Sequence, residues 1–236
     1  MLDVKNIVAG YGQNIVLHNV SFHVQDGENL AIIGPNGCGK TTLLRTIANI
    51  IPFEGDVLVD NQNIKTLSRK QLAEKIALFS QITNIYFDYS VYETVMMGRY
   101  AKQKRNLLSN YSHLDKEIVR EVLETMGLWD IRSKSITALS GGQMQRVLLA
   151  KAFVQEPDII LLDEPTNHLD LHFQIELIDF LKRWARNNKK TVIGVLHDIN
   201  LAIRLSNNIL LMADGKIVDS GTPEQVLKSN VLESVY

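Results

Sequence analysis

Gly34-Pro35-Asn36-Gly37-Cys38-Gly39-Lys40-Thr41 fits the pattern G-x-x-x-x-G-K-[ST] and stands between a β-rich run, Leu30 to Ile33, and a helical run, Lys40 to Asn49. Successive backbone N–H groups in such a loop form an anion nest at the positive end of the following helix. Glycine serves there because a Cβ would hold the backbone away from phosphate oxygens. Lys40 is expected to reach the β- and γ-phosphates of a nucleotide, and the Thr41 hydroxyl to ligate Mg²⁺. A chance glycine-rich turn would give the same letters, but not the strand before it and the helix after it. Cys38 reads as a small loop residue. It is the only cysteine of the chain, so no internal disulfide is possible, which fits a reducing compartment.

Outward from this loop the chain divides by pattern. Leu2 to Val8, Ile15 to Val24, Asp56 to Val59 and Ile76 to Phe79 read as strands. Ser68 with Gln71 is a capping box opening a short helix. Residues 85–155 change character: Val91 to Gly98, Lys116 to Met126 and Gly142 to Val154 carry helical spacing, with no convincing strand between them. The alternation then returns. Ile159 to Leu162, Val192 to Leu196 and Ile209 to Met212 are strand-like, while Leu171 to Asn187 and Ile199 to Leu205 are helical. Ile175, Ile178, Leu181 and Ala185 make one expected buried stripe. Thr222-Pro223-Glu224-Gln225 starts a last helix. An α/β core interrupted by a helical insert is the economical topology.

Ile159-Ile-Leu-Leu-Asp163-Glu164 is an apolar strand ending in two carboxylates. In open α/β sheets ligands lie beyond the carboxyl ends of strands, so these acids fall where a nucleotide would sit. Asp163 suits Mg²⁺ binding, direct or through water, and Glu164 could polarise an attacking water. Taken alone, the segment reads equally well as a strand running into a polar turn. Leu139-Ser140-Gly141-Gly142-Gln143 has a local reading as a capping box for the next helix, which leaves its two glycines weakly explained. The same geometry is also an anion site, and placing both phosphate-binding helix ends on one γ-phosphate requires a second chain. His197 closes a strand, where a structural role is the competing reading. Gln81 stands at the edge of the helical insert. Tyr11, between Gly10 and Gly12, could stack on adenine or simply occupy a turn.

The chain has 236 residues, 45% hydrophobic and 22% charged, with a formal net charge of −1. That balance suits a soluble globular protein and weighs against a nucleic-acid partner. The N-terminus lacks the basic-then-apolar layout of a signal peptide, and no apolar run approaches the ~18 residues of a membrane span.

In order and spacing these motifs resemble the ATP-binding-cassette (ABC) ATPases, and the resemblance covers essentially the whole chain. It implies an α/β fold with a P-loop NTPase (RecA-like) core. That core would carry an N-terminal antiparallel β subdomain, over residues 1–84 and 156–236, and an inserted α-helical subdomain over 85–155. It assigns Tyr11 to adenine stacking, Gly34 to Thr42 to the phosphate loop, and Asp163 and Glu164 to Mg²⁺ and catalysis. Gln81 corresponds to the glutamine that senses Mg²⁺ and water, Asp170 to the loop crossing a dimer interface, and His197 to the switch histidine. Residues 139–143 are the signature that completes the ATP site of another copy. His168 stands where many relatives have a small residue. The cofactors implied are ATP and Mg²⁺.

A finer resemblance points to importers of iron-siderophore, haem and cobalamin, on Met97-Gly98-Arg99-Tyr100, Thr166-Asn-His-Leu-Asp170, His197-Asp-Ile-Asn-Leu201 and Gly215-Lys-Ile-Val-Asp-Ser-Gly221. Ala101 departs from the proline often seen at that point. The partners implied are a second copy, a transmembrane permease and, indirectly, an extracytoplasmic solute-binding protein. The place implied is the cytoplasmic face of the cell membrane. The aromatic-rich segment Ile82 to Tyr100, with Tyr86, Phe87, Tyr89 and Tyr92, is where the resemblance puts the permease contact. An ATPase of a different importer, or an ABC ATPase that moves no solute, is the alternative.

Overall fold

Two sheets organise the chain, seen in a computed structural model that describes residues 1–80, 88–103, 111–167, 169–228 and 230–235. Gln81, Tyr86, Phe87 and His168 lie outside the described residues. The smaller sheet is antiparallel, in the order β2-β1-β4-β5, from β1 (Leu2–Tyr11), β2 (Asn14–Val24), β4 (Phe53–Val59) and β5 (Gln62–Asn63). The larger sheet runs β10-β9-β3-β8-β7-β6. It is built from β3 (Leu30–Ile33), β6 (Ile76–Phe79), β7 (Ile159–Asp163), β8 (Thr191–Val195), β9 (Asn208–Ala213) and β10 (Lys216–Gly221). All its neighbours pair in parallel except β10, which is antiparallel to β9.

Every residue of β3, β7 and β8 is buried, because helices or the second sheet cover both faces. The first face packs Leu30, Ile32, Leu161, Ile193 and Val195 against α1 (Lys40–Ile47) and the antiparallel sheet. The second face packs Ala31, Ile33, Ile160, Leu162 and Val192 against α6 (Leu171–Asn188) and α7 (Ile199–Leu205). A third apolar cluster, including Val91, Val95, Leu123, Val147 and Ala150, joins α3 (Val91–Met96), α4 (His113–Thr125) and α5 (Gly141–Phe153). The remaining helices are α2 (Arg69–Lys75), α8 (Pro223–Leu227) and α9 (Asn230–Val235).

Several expectations shift in detail. The signature helix begins at Gly141 rather than Gly142, because Ser140 is its N-cap. Leu177 joins Ile178, Leu181 and Ala185 in the buried stripe of α6, while Ile175 is only half-buried. The 3-10 turn Met97–Lys102 continues α3, and β10 is a strand that the sequence reading did not propose.

Register positions the chemistry. Ile32 pairs with Val195, and Val195 with Asp163, so β3, β8 and β7 end side by side. The phosphate loop leaves β3, Glu164 follows β7, and His197 follows β8 by two residues. Among the described residues no helix is long and apolar enough to cross a membrane.

Candidate functional site

The phosphate loop turns back on itself at Gly34, whose φ is 145°; a Cβ there would stand 2.1 Å from the Met212 carbonyl oxygen. Gly39 caps α1 with φ 104° and supplies no side-chain hydrogen bond. Among the described residues no cap side chain accepts from the first N–H groups of α1, unlike α2, α3, α4, α5 and α8, each closed by a capping box. Uncapped N–H groups at a glycine-lined turn suit an anion. Lys40 is buried, and its Nζ donates to the carbonyls of Gly34 at 2.7 Å and Pro35 at 2.8 Å. Its cation is thus held among carbonyls at the rim of the loop. Burial pushes the Cys38 thiol up, against the opposing pull of Lys40.

Across the sheet, the Thr41 hydroxyl donates to Asp163 Oδ1 at 2.9 Å. Asp163 is 7% exposed. Burial drives its carboxyl above the ordinary range; the Thr41 hydrogen bond opposes this, Glu164 adds to it, and Arg45 and Lys40 work against it. A cation beside this carboxylate would relieve the penalty. Hydroxyl and carboxylate oxygens are hard donors that fit Mg²⁺. Among the described residues no group of three or more His, Cys, Asp or Glu converges as a cage. Two protein oxygens plus phosphates is the arrangement Mg²⁺ tolerates well.

Glu164 adopts a left-handed backbone, φ 53°, that a residue with a side chain seldom takes. Its N–H donates to the Val195 carbonyl at 3.2 Å. One carboxylate oxygen lies 2.5 Å from His197 Nε2, and the other accepts from the Asn167 amide. The strained backbone and two side-chain partners fix the carboxylate over the end of the sheet.

The structure thus brings Lys40, Thr41, Asp163, Glu164 and His197 to one edge. Tyr11 is 44% exposed, and its hydroxyl accepts from Arg45 Nη1 at 3.1 Å. Ser140 and Gln143 satisfy each other as a capping box on α5. A Cβ on Gly141 would meet nothing within 4 Å among the described residues. Leu139 packs against the third apolar cluster. Asp170 caps α6, its Oδ1 accepting from the Phe173 N–H at 3.1 Å. Arg45 was not singled out by sequence reasoning, since its partner Tyr11 lies 34 residues away.

The ABC transporter family model matches residues 17–167, more than half of the chain. The chain belongs to the ABC transporter family. It is similar over its whole length, at 38% identity, to the petrobactin import ATP-binding protein FpuD of Bacillus anthracis, covering 86% of that protein. It is 37% identical to the ferric enterobactin transport ATP-binding protein FepC of Escherichia coli (strain K12), over 98% of this chain and 85% of FepC. A dimeric ATP-binding cassette solved in a post-hydrolysis state with ADP and Pi matches with a TM-score of 0.83 and 30% identity. That match covers 94% of this chain and 99% of the cassette. The expected fold class, an ABC ATPase cassette with a P-loop NTPase core, is borne out. The chain is an ATP-hydrolysing subunit of an ABC transporter, and its substrate is the nucleotide.

Proposed function

We propose that this ABC ATPase works as a homodimer that drives an importer of iron-siderophore, haem or cobalamin type through a separate permease. Each ATP would lie between the phosphate loop of one copy and Ser140 to Gln143 of the other. The observation that carries this reading is Gly141: nothing among the described residues of its own chain requires glycine there, and a phosphate brought by a second copy would. Residues 85–155, the proposed helical subdomain, would then swing the signature toward the partner.

In the closed dimer Tyr11 stacks on adenine, and Gly34 to Thr42 wrap the phosphates. Lys40 leaves its carbonyls for the β- and γ-phosphates. Thr41 and Asp163 would hold Mg²⁺, which when bound would supply positive charge beside the phosphates. Glu164, pinned by His197 and Asn167, orients and polarises the attacking water, and His197 then meets the γ-phosphate. Gln81 is assigned to sensing Mg²⁺ and water, and Asp170 to the crossing of the interface. Most of the acceleration comes from positioning and fixed charge.

The siderophore-type assignment draws on the similarity to FpuD and FepC and on the Met97 to Tyr100 and Thr166 to Asp170 motifs. The permease, which ties the subunit to the cytoplasmic face of the membrane, is proposed to dock beside an apolar groove of about 310 Å³ that Tyr89, Tyr92, Met96, Met97 and Tyr111 line. An extracytoplasmic solute-binding protein would act through that permease. Glu164→Gln tests the chemistry: turnover should fall by ~10²-fold or more, while ATP-bound dimers accumulate in size-exclusion chromatography. Hydrolysis near the wild-type rate would remove Glu164 from the reaction.

A further inference from the structure

Gln145 lies two residues beyond the signature on α5 and is 8% exposed. Its Nε2 donates to the carbonyl of Pro165, the residue directly after Glu164. Its Oε1 is the buried side-chain polar atom that finds no partner among the described residues. Arg146, next in the chain, sets its guanidinium over the Phe173 ring at 4.6 Å. Phe173 belongs to the first turn of α6. The early turns of α5 therefore grip both ends of the segment that leads from Glu164 to α6. Gln174 holds the same segment from the other side, donating to the carbonyls of Thr166 at 3.1 Å and Leu169 at 3.0 Å.

A buried acceptor without a donor is uncommon and calls for a reason. Here half of the Gln145 amide is committed to Pro165 and half is unspent. An arrangement with α5 shifted relative to the segment after Glu164 would let Oε1 gain a donor. The left-handed backbone at Glu164 makes its carboxylate sensitive to any movement of the Pro165 carbonyl next to it.

We propose that Gln145 is a positioning residue that couples the two ATP sites of the dimer, with Arg146 as a second grip. This rests on the shared-site reading above. The α5 of a given chain meets the nucleotide held by its partner, whereas Glu164 of that chain acts on the nucleotide it holds itself. The Gln145–Pro165 contact is then a direct link from one site to the other: movement of α5 onto the partner's ATP is carried to Pro165 and repositions Glu164. A discrete contact with two arrangements, biased by both sites, is what physical coupling requires.

Gln145→Met keeps length and burial and removes the amide. Steady-state hydrolysis by the purified full chain, followed against Mg-ATP concentration, should change in two ways. Turnover at saturation falls ~5-fold or more, and the Hill coefficient drops from above 1 in the wild type to about 1. The affinity of the monomer for nucleotide and the melting temperature stay close to wild type. Arg146→Met, which cuts the other grip, shows a smaller drop in the Hill coefficient and keeps the test open if Gln145→Met folds poorly. A folded variant with the wild-type Hill coefficient overturns the proposal, and so does a loss of melting temperature with cooperativity unchanged. A wild type that itself shows a Hill coefficient of about 1 also overturns the proposal, whereas failure of the shared-site reading shows separately, as heterodimers of Ser140→Arg and Lys40→Ala that form yet hydrolyse no faster than either parent.

Discussion

Replacing Arg99 with methionine should lower the melting temperature of the chain by roughly 6–12 °C. The Arg99 side chain is 5% exposed and bonds three groups from distant parts of the sequence. Nε donates to Asp115 Oδ1 at 2.7 Å, and Nη1 to the Val154 carbonyl and to Glu156 Oε2, each at 2.6 Å. It thereby ties the turn after α3 to the start of α4 and the end of α5. Beside it, a Cβ on Gly98 would stand 2.2 Å from the Lys151 carbonyl, so the turn packs directly on the backbone of α5. Methionine fills the space but strands the buried Asp115 and the Val154 carbonyl. Breaking a buried ion pair from one side costs 3–5 kcal/mol in general. Ser112 still serves the other oxygen of Asp115, and Glu156 is half exposed, so about 3 kcal/mol is the appropriate end of that range. For a chain of this size each kcal/mol moves the midpoint by roughly 2–4 °C. Differential scanning calorimetry at pH 7 measures it.

The pH dependence follows from Asp115. Burial acts to raise its pKa, but hydrogen bonds from Ser112 and Arg99 outweigh burial and hold the carboxyl below its ordinary value. A carboxyl depressed in the folded state contributes stability above its unfolded pKa of about 3.9, and that contribution is lost as pH falls through the folded value. The difference between wild type and Arg99→Met is therefore full at pH 7 and shrinks below about pH 4. A variant melting within about 2 °C of wild type at pH 7 would refute this reasoning.

Thr41→Val keeps shape but removes the hydroxyl that donates to Asp163. Mg²⁺-dependent hydrolysis should drop by ~10²-fold or more, while nucleotide binding without Mg²⁺, read by fluorescence titration, persists. Tyr89→Ser, at a 41% exposed site beside the apolar groove, should weaken permease pull-down while basal ATPase and melting temperature hold; lost stability with unchanged pull-down would instead mark Tyr89 as core packing.

What the sequence disclosed was what short-range pattern carries. β3, β7 and β8 were legible because strands covered on both faces read as unbroken apolar runs. The site residues at their ends followed from the rule that ligands gather at carboxyl ends of parallel strands. β10 was not legible, because its residues alternate between exposed and half-buried and carry no apolar run. The buried stripe of α6 takes in Leu177 and leaves Ile175 half-buried. The same helix meets Phe153 of α5 through Phe180 at 4.8 Å and Trp184 at 5.4 Å, a neighbour that no local spacing announces. Arg99 stood out in the sequence only as part of a subgroup motif. Its acidic partners lie 16 and 57 residues away, so no local spacing announces the pair. The left-handed backbone of Glu164 and the Gln145 contact with Pro165 are likewise products of tertiary packing.

The central claim is that one chain's signature completes another chain's ATP site. Ser140→Arg should abolish turnover by itself, since it puts a long cation where the partner's phosphate must sit, and Lys40→Ala should abolish it by emptying the phosphate loop. Mixed in equal amounts, the two variants form heterodimers with one intact composite site, from the loop of the first and the signature of the second. The measurement is ATPase rate against mixing ratio, with heterodimer formation checked by differently tagged chains. Activity that rises well above either variant alone and peaks near equal mixing is the predicted result. Heterodimers that form yet hydrolyse no faster than either parent would contradict it.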